Sequence, residues 1–419
     1  MRPTTTVAAM HPDHLPPPDA FAAAVVRLRQ ALTPRADPAS RSHGELPAAL
    51  PAGGVGEREA LDLLATALLD GAAQLQHPGF LAHMDPPTPW VTWVTAMWTA
   101  ALNQNLLHDD TGVAARLVEE RVVTWLAPFF GMEGGHLTPG STTANLTALW
   151  AAREVAGVRR VVASPHAHVS IAKAAAILGL ALETAPADAT HRMVPTALRN
   201  LDDAALVLTA GTTATGAVDP LDAGAGAAWR HVDAAWAGPL RLSERHRHVL
   251  DGIEQADSVA VSAHKWLFQP KESAMVLFAD AARAHGALSF TGGYLARRNV
   301  GLLGSHSAAP AAALAATLLA WGREGLAGRI DALMEQTAHL VALIAATDDF
   351  DLWGPSPTGI VLWRPTRRSA DAVRSKMVDA LVALTDIDGD RWLRSVAANP
   401  NVDPELVVAS ATEALRWAQ

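Results

Sequence analysis

Four short stretches place residues capable of chemistry where apolar runs end. SAHKW (262–266) carries Lys265 between His264 and Trp266. Lysine is scarce here: Lys173, Lys265, Lys271 and Lys376 are the four lysines among 33 basic residues. An amine that must shed its proton and form an imine is a reason to keep lysine, because arginine stays protonated. HVDAAW (231–236) ends an apolar run at Asp233, a charge that asks for a cationic partner, although a capping aspartate explains it too. HLTPGSTTANLTALW (136–150) sets Gly140, Ser141, Thr142 and Thr143 before a helical pattern. Small residues, hydroxyls and free helix N–H groups there can receive an anion; an ordinary N-cap accounts for the same residues. Neither a Walker lysine nor GxGxxG accompanies them, which removes a nucleotide loop. SPHAHVS (164–170) brings His166 and His168 two positions apart. With no cysteine in the chain and no third ligand cluster nearby, a ring-stacking histidine fits better than zinc, and no metal is expected.

The elements that must hold these residues follow from the apolar pattern. RRVVASP (159–165), AALVLTAG (204–211), WRHVDAAW (229–236), DSVAVSAHKW (257–266) and ESAMVLFAD (272–280) read as buried strands. Helical patterns over 144–157 and 168–180 alternate with them. That alternation predicts an α/β domain with a mostly parallel sheet, whose ligand lies beyond the carboxyl ends of the strands. All four stretches sit at such ends. Together they offer an anion cradle, a carboxylate for a protonated ring nitrogen, an imidazole for a ring face and an imine-forming lysine. Pyridoxal 5'-phosphate (PLP) needs those four partners.

The chain resembles the group II PLP-dependent amino acid decarboxylases of fold type I from about residue 60 onward. The resemblance rests on HPGFLAHMDPPTP (77–89), ALNQN (101–105), LTPGSTTANLTALWAAR (137–153), HAHVSIAKAAAILGL (166–180), LTAGTTATGAVDPLD (208–222), the block from HVDAAW to SAHKWLFQP (231–270), and LRSVAANPNVDPEL (393–406). The block from HVDAAW onward is most similar to the branch acting on 2,4-diaminobutyrate, lysine and ornithine. By resemblance, Lys265 is the Schiff-base lysine, Asp233 pairs with the pyridine nitrogen, and Ala235 and His168 cover the two ring faces. Ser141 and Thr142 hold the phosphate with Ser262 and His264, while Thr213 lies near the ring and the substrate. His166 receives no role. The family also carries a tyrosine on a mobile loop after the lysine, which protonates the α-carbon once CO2 has left. SFTGGYLARRNVG (289–301) holds Tyr294, the one tyrosine in 419 residues, beside Gly292 and Gly293.

These motifs imply an N-terminal arm (1–60), a large PLP-binding domain (61–300) and a small C-terminal α+β domain (301–419). After about 305 the pattern reads as helices, then a strand over TGIVLWRP (358–365), then helices to the end. The expected activity is decarboxylation of an L-amino acid, a diamino acid by the branch resemblance. An aromatic or acidic substrate, oxidative deamination, or a noncatalytic PLP-binding partner are the alternatives, and the intact set Lys265, Asp233, His168 and Tyr294 argues against the last. NQNLLHDDTG (103–112) departs from the diamino acid pattern and leaves the side-chain pocket open. A homodimer with shared active sites follows from the resemblance. A net charge of −9 gives no reason to expect nucleic acid. Without a secretory h-region or a long apolar run, a cytoplasmic protein off the membrane is expected.

Overall fold

Short runs of small and β-branched apolar residues, buried on both faces, make the central strands. The computed structural model describes residues 19–41, 44–293, 295, 299–355 and 357–417. The chain divides into two units, Met1–His77 and Pro78–Gln419. In the second, a seven-stranded sheet is built from β1 (Gly134–Thr138), β2 (Arg160–Ala163), β3 (Ala181–Thr184), β4 (Ala204–Thr209), β5 (Trp229–Asp233), β6 (Ser258–Ser262) and β7 (Ala274–Phe278). Their order is β1-β7-β6-β5-β4-β2-β3. Strands β6, β5, β4, β2 and β3 run parallel, while β7 is antiparallel to both its neighbours, β1 and β6. Every residue of β4, β6 and β7 is buried. Two more strands, β8 (Ser289–Phe290) and β9 (Asn299–Val300), pair with each other. Tyr294, in the sequence between them, lies outside the described residues.

A four-stranded antiparallel sheet, β10 (Phe350–Leu352), β11 (Ile360–Pro365), β12 (Ala383–Ile387) and β13 (Asp390–Val396), follows in the order β10-β11-β13-β12. β12 and β13 correct the expectation that only helices follow β11. Their two-residue turn is Asp388-Gly389, with φ of 52° and 90°. Two positive φ values are what a tight hairpin matched to strand twist requires, and Asp-Gly supplies them. The signal stood in TDIDGDRW (385–392).

Helices α1 (Ala20–Ala31) and α2 (Glu57–Leu68) belong to the first unit, and neither buries a residue fully. That unit is tied by an Arg27–Asp70 ion pair at 2.6 Å and by Gln74, whose amide accepts from Arg35 N and donates to Thr33 O. The second unit contains α3 (Trp90–Leu102), α4 (Asp109–Leu126), α5 (Ser141–Ala156), α6 (Val169–Leu178), α7 (Ala281–Ala287), α8 (Ala309–Ala345), α9 (Ala370–Lys376) and α10 (Pro404–Trp417). α8 is two helices joined at Gly322, whose φ of 63° and ψ of −179° break the helical path. α5 and α6 carry the crossovers β1 to β2 and β2 to β3, and α5 packs on β6 and β7. α3 is inverted: Thr92 and Thr95 are buried, while Trp90, Trp93, Met97, Trp98 and Leu102 are exposed. No helix among the described residues is long and apolar enough to cross a membrane.

Candidate active site

The site begins where β1 turns into α5. Gly140 precedes the helix at φ 155°, ψ 163°, a region essentially closed to residues with a Cβ. That turn aims the first N–H groups of α5, which have no acceptor within the helix, at the space beyond the strand ends. The Ser141 and Ser262 hydroxyls hydrogen bond, joining the start of α5 to the end of β6. A cavity of about 350 Å3 opens here. Ser141, Thr142, His168, Thr213, Asp233, Ala235, Ser262, His264 and Lys265 all line it, so nine of the ten residues singled out from sequence meet in one place; Tyr294 is the tenth. His166 does not line it and stacks instead on His191, ring centroids 3.8 Å apart and 7° from coplanar.

Asp233 ends β5 and is buried, and both its oxygens accept N–H donors. Asn145 Nδ2 donates to Oδ2 at 2.9 Å and Ala235 N donates to Oδ1 at 3.1 Å. Lys265 lines the same cavity. Burial pulls its pKa below the ordinary lysine value, and Asp233 opposes that pull through space. His264 Nδ1 donates to Ser273 O at 2.8 Å, and burial first, then Lys271, push its pKa down to about 4. His168 caps α6, its Nδ1 accepting from Ser170 N at 3.2 Å. Its pKa also lies below the usual histidine value, from desolvation first, with Asp233 opposing.

Further residues lie in the cavity wall or behind it. Asn145 lies one helical turn after Ser141, and His231 lies two residues before Asp233 on the same strand face, so both spacings were available signals. Thr209 lines the cavity, and its buried Oγ1 has no hydrogen-bond partner among the described residues. Arg394, on β13, is buried with its Nε unpartnered among the described residues and Nη1 3.5 Å from Ala82 O; burial lowers its pKa to about 10. It also depresses Lys265 through space. Its only signal was its place in LRSVAANP (393–400).

PLP fits this donor set. Its phosphate would find a helix N-terminus with hydroxyls, its ring nitrogen a buried carboxylate, and its aldehyde an amine whose protonated form is destabilised. Thr209 Oγ1, without a hydrogen-bond partner among the described residues, supplies one more polar atom.

Comparison with known proteins agrees. Residues 45–364 match the pyridoxal-dependent decarboxylase conserved domain. An L-2,4-diaminobutyrate decarboxylase of Rhizobium meliloti is 33% identical over 85% of this chain and 81% of its own length. An aspartate 1-decarboxylase of Aliivibrio fischeri is 29% identical over 68% of this chain and 63% of its own. The crystal structure of Oryza sativa TDC with PLP and tryptamine shares the fold, with a TM-score of 0.87 at 21% identity, covering 98% of this chain and all of that one. The chain therefore belongs to the pyridoxal-dependent decarboxylase family, as a PLP-dependent amino acid carboxy-lyase of fold type I.

Proposed function

We propose that the protein decarboxylates a diamino acid of the 2,4-diaminobutyrate, lysine or ornithine type, releasing the amine and CO2. The observation that carries the site assignment is that Asp233 and Lys265 line one cavity beside the N-terminus of α5. The diamino acid side chain is supported by the block from HVDAAW to SAHKWLFQP and by the Rhizobium meliloti relative.

PLP, when bound, supplies an electron sink for the bond that breaks between Cα and the carboxyl group. Asp233 holds a proton at the ring nitrogen, which keeps that sink strong. Ser141, Thr142, Ser262 and His264 hold the phosphate. His168 and Ala235 bracket the ring, and Thr213 borders the ring and the substrate. Lys265 would hold the aldehyde of PLP through its amine. Tyr294 returns a proton to Cα after CO2 departs, the part of a general acid. Two copies of the chain form a homodimer with shared sites, a reading supported by the outward tryptophans of α3, since an exposed apolar stripe marks an interaction surface.

One observation favours a second reading, an acidic amino acid. That observation is the aspartate 1-decarboxylase of Aliivibrio fischeri among the relatives; Arg394, a buried cation with no carboxylate partner among the described residues, would suit the α-carboxylate of either substrate class. The test offers the PLP-loaded protein single amino acids and identifies products by mass spectrometry. 1,3-Diaminopropane from 2,4-diaminobutyrate supports the first reading and β-alanine from aspartate the second. An aldehyde in place of any amine would replace both with oxidative chemistry.

A further inference from the structure

Behind the cavity wall, a run of buried polar side chains forms a branched series of hydrogen bonds that ends at the exposed His168. Trp229 Nε1 donates to Ser258 Oγ at 2.8 Å, and Ser258 Oγ lies 2.9 Å from His231 Nδ1. His231 Nε2 lies 3.0 Å from Asn145 Oδ1. Asn145 Nδ2 then donates twice, to Asp233 Oδ2 and to Ser170 Oγ, both at 2.9 Å. Ser170 Oγ is 2.8 Å from His168 Nδ1. Trp229, Ser258, His231, Asn145, Ser170 and Asp233 are all buried, so water cannot rescue a misdirected proton.

The direction of every bond in this series is determined by its ends. A carboxylate only accepts, so Asn145 must turn its NH2 toward Asp233 and its oxygen toward His231. The reversed amide would set Oδ1 against Asp233 Oδ2. His231, held neutral by burial that lowers its pKa to about 4, then carries its one proton on Nε2, which leaves Nδ1 to accept from the Ser258 hydroxyl. Ser258 in turn accepts from Trp229, a donor only. On the other branch, Ser170 Oγ accepts from Asn145 and is free to donate its own proton to His168 Nδ1. The Ser170 backbone N–H reaches the same nitrogen at 3.2 Å. Nδ1 of His168 therefore faces two donors and has to keep its lone pair.

We propose that Asn145 is a positioning residue whose single amide couples Asp233 to His168, and that the buried series behind it fixes His168 as the neutral Nε2–H tautomer. The role attached to that tautomer rests on the reading of the cavity as the PLP site. His168 then presents an uncharged ring face, with a donor at Nε2 in place of an acceptor. Asp233 is at the same time held in one orientation by Asn145 and Ala235, with lone pairs left for a cationic N–H.

The test is two-bond 1H–15N spectroscopy of histidine-labelled protein, recorded with and without added PLP, with signals assigned by loss in His168→Gln and His231→Gln. We expect both residues to give the neutral Nε2–H pattern near pH 7. An Nδ1–H pattern for His231, or an Nδ1–H or imidazolium pattern for His168, overturns the proposal. Asn145→Asp keeps the side-chain shape but removes both donors and sets a second carboxylate beside Asp233. In it Ser170 Oγ is expected to donate to residue 145, leaving the Ser170 backbone N–H as the one donor on His168 Nδ1, so that an Nδ1–H population appears beside the Nε2–H form and PLP binds about tenfold or more weakly. An unchanged His168 pattern in a folded Asn145→Asp protein refutes the coupling. If that variant does not fold, the wild-type spectrum alone decides. A protein that shows the expected tautomers but releases no amine from any amino acid would overturn the proposed function and leave this inference standing.

Discussion

Lys265 sits where burial works against its charge, which is the condition an amine needs to act as a nucleophile near neutral pH. Lys265→Ala is expected to abolish amine release and to let PLP pass through gel filtration apart from the protein. Retention of PLP with the chain would argue against Lys265 as its attachment point. Tyr294→Phe removes only the phenolic proton donor. We expect amine release to fall by about 100-fold, the low end of what a general acid contributes, with aldehyde appearing among the products; an unchanged product ratio would relieve Tyr294 of its role. His136, His231 and His264 share another consequence of burial, each being pushed from 6.5 to about 4. Between those values the unfolded chain binds more protons than the folded one, so stability is full above about pH 6.5 and falls as the pH drops toward 4. A melting temperature that holds steady from pH 6.5 to 4 would contradict the neutral state of these histidines.

At the level of elements, the turn from β1 into α5 depends on Gly140. No atom of the described residues lies within 4 Å of a Cβ built there, so Gly140→Ala creates no clash with them and its cost is backbone strain. We expect a loss of ~1–3 kcal/mol in urea unfolding together with weaker PLP binding, because the N–H groups of α5 would re-aim; a variant matching the native protein in both would show that the turn tolerates a side chain. Strands β2, β4, β5, β6 and β7 were legible in sequence because each is a short apolar run ending in polar or small residues. β1 was not, since GGHLT (134–138) has two glycines and a histidine and takes its strand form from pairing with β7. Nor does an apolar run disclose strand direction, so the antiparallel placement of β7 came only with the structure. The cavity residues were legible because they follow strand ends. The Asn145–His231 series behind them was less so, since its members look like ordinary residues of a helix and a strand until the sheet brings them within 3.0 Å.

For the whole molecule, α3 is the outstanding feature. A helix that buries threonines and exposes tryptophans has its hydropathy reversed relative to the rest of the chain, and a second subunit is the simplest body to restore it. Light scattering is expected to give twice the 44.0 kDa of one chain. Trp98→Glu, at a position 58% exposed, should shift that mass toward one chain without loss of helical circular dichroism; an unchanged mass would move the interface elsewhere.

The same stripe has an optical consequence. With thirteen tryptophans and one tyrosine, the intrinsic emission of the protein is almost purely that of indole. Trp90, Trp93 and Trp98 contribute its red, solvent-relaxed portion, whereas Trp236, Trp266 and Trp363 emit from the dry interior whatever the state of α3. Covering α3 would move the emission to shorter wavelength with no added label, and dilution would reverse it. The helix that faces outward thus carries its own reporter of what covers it.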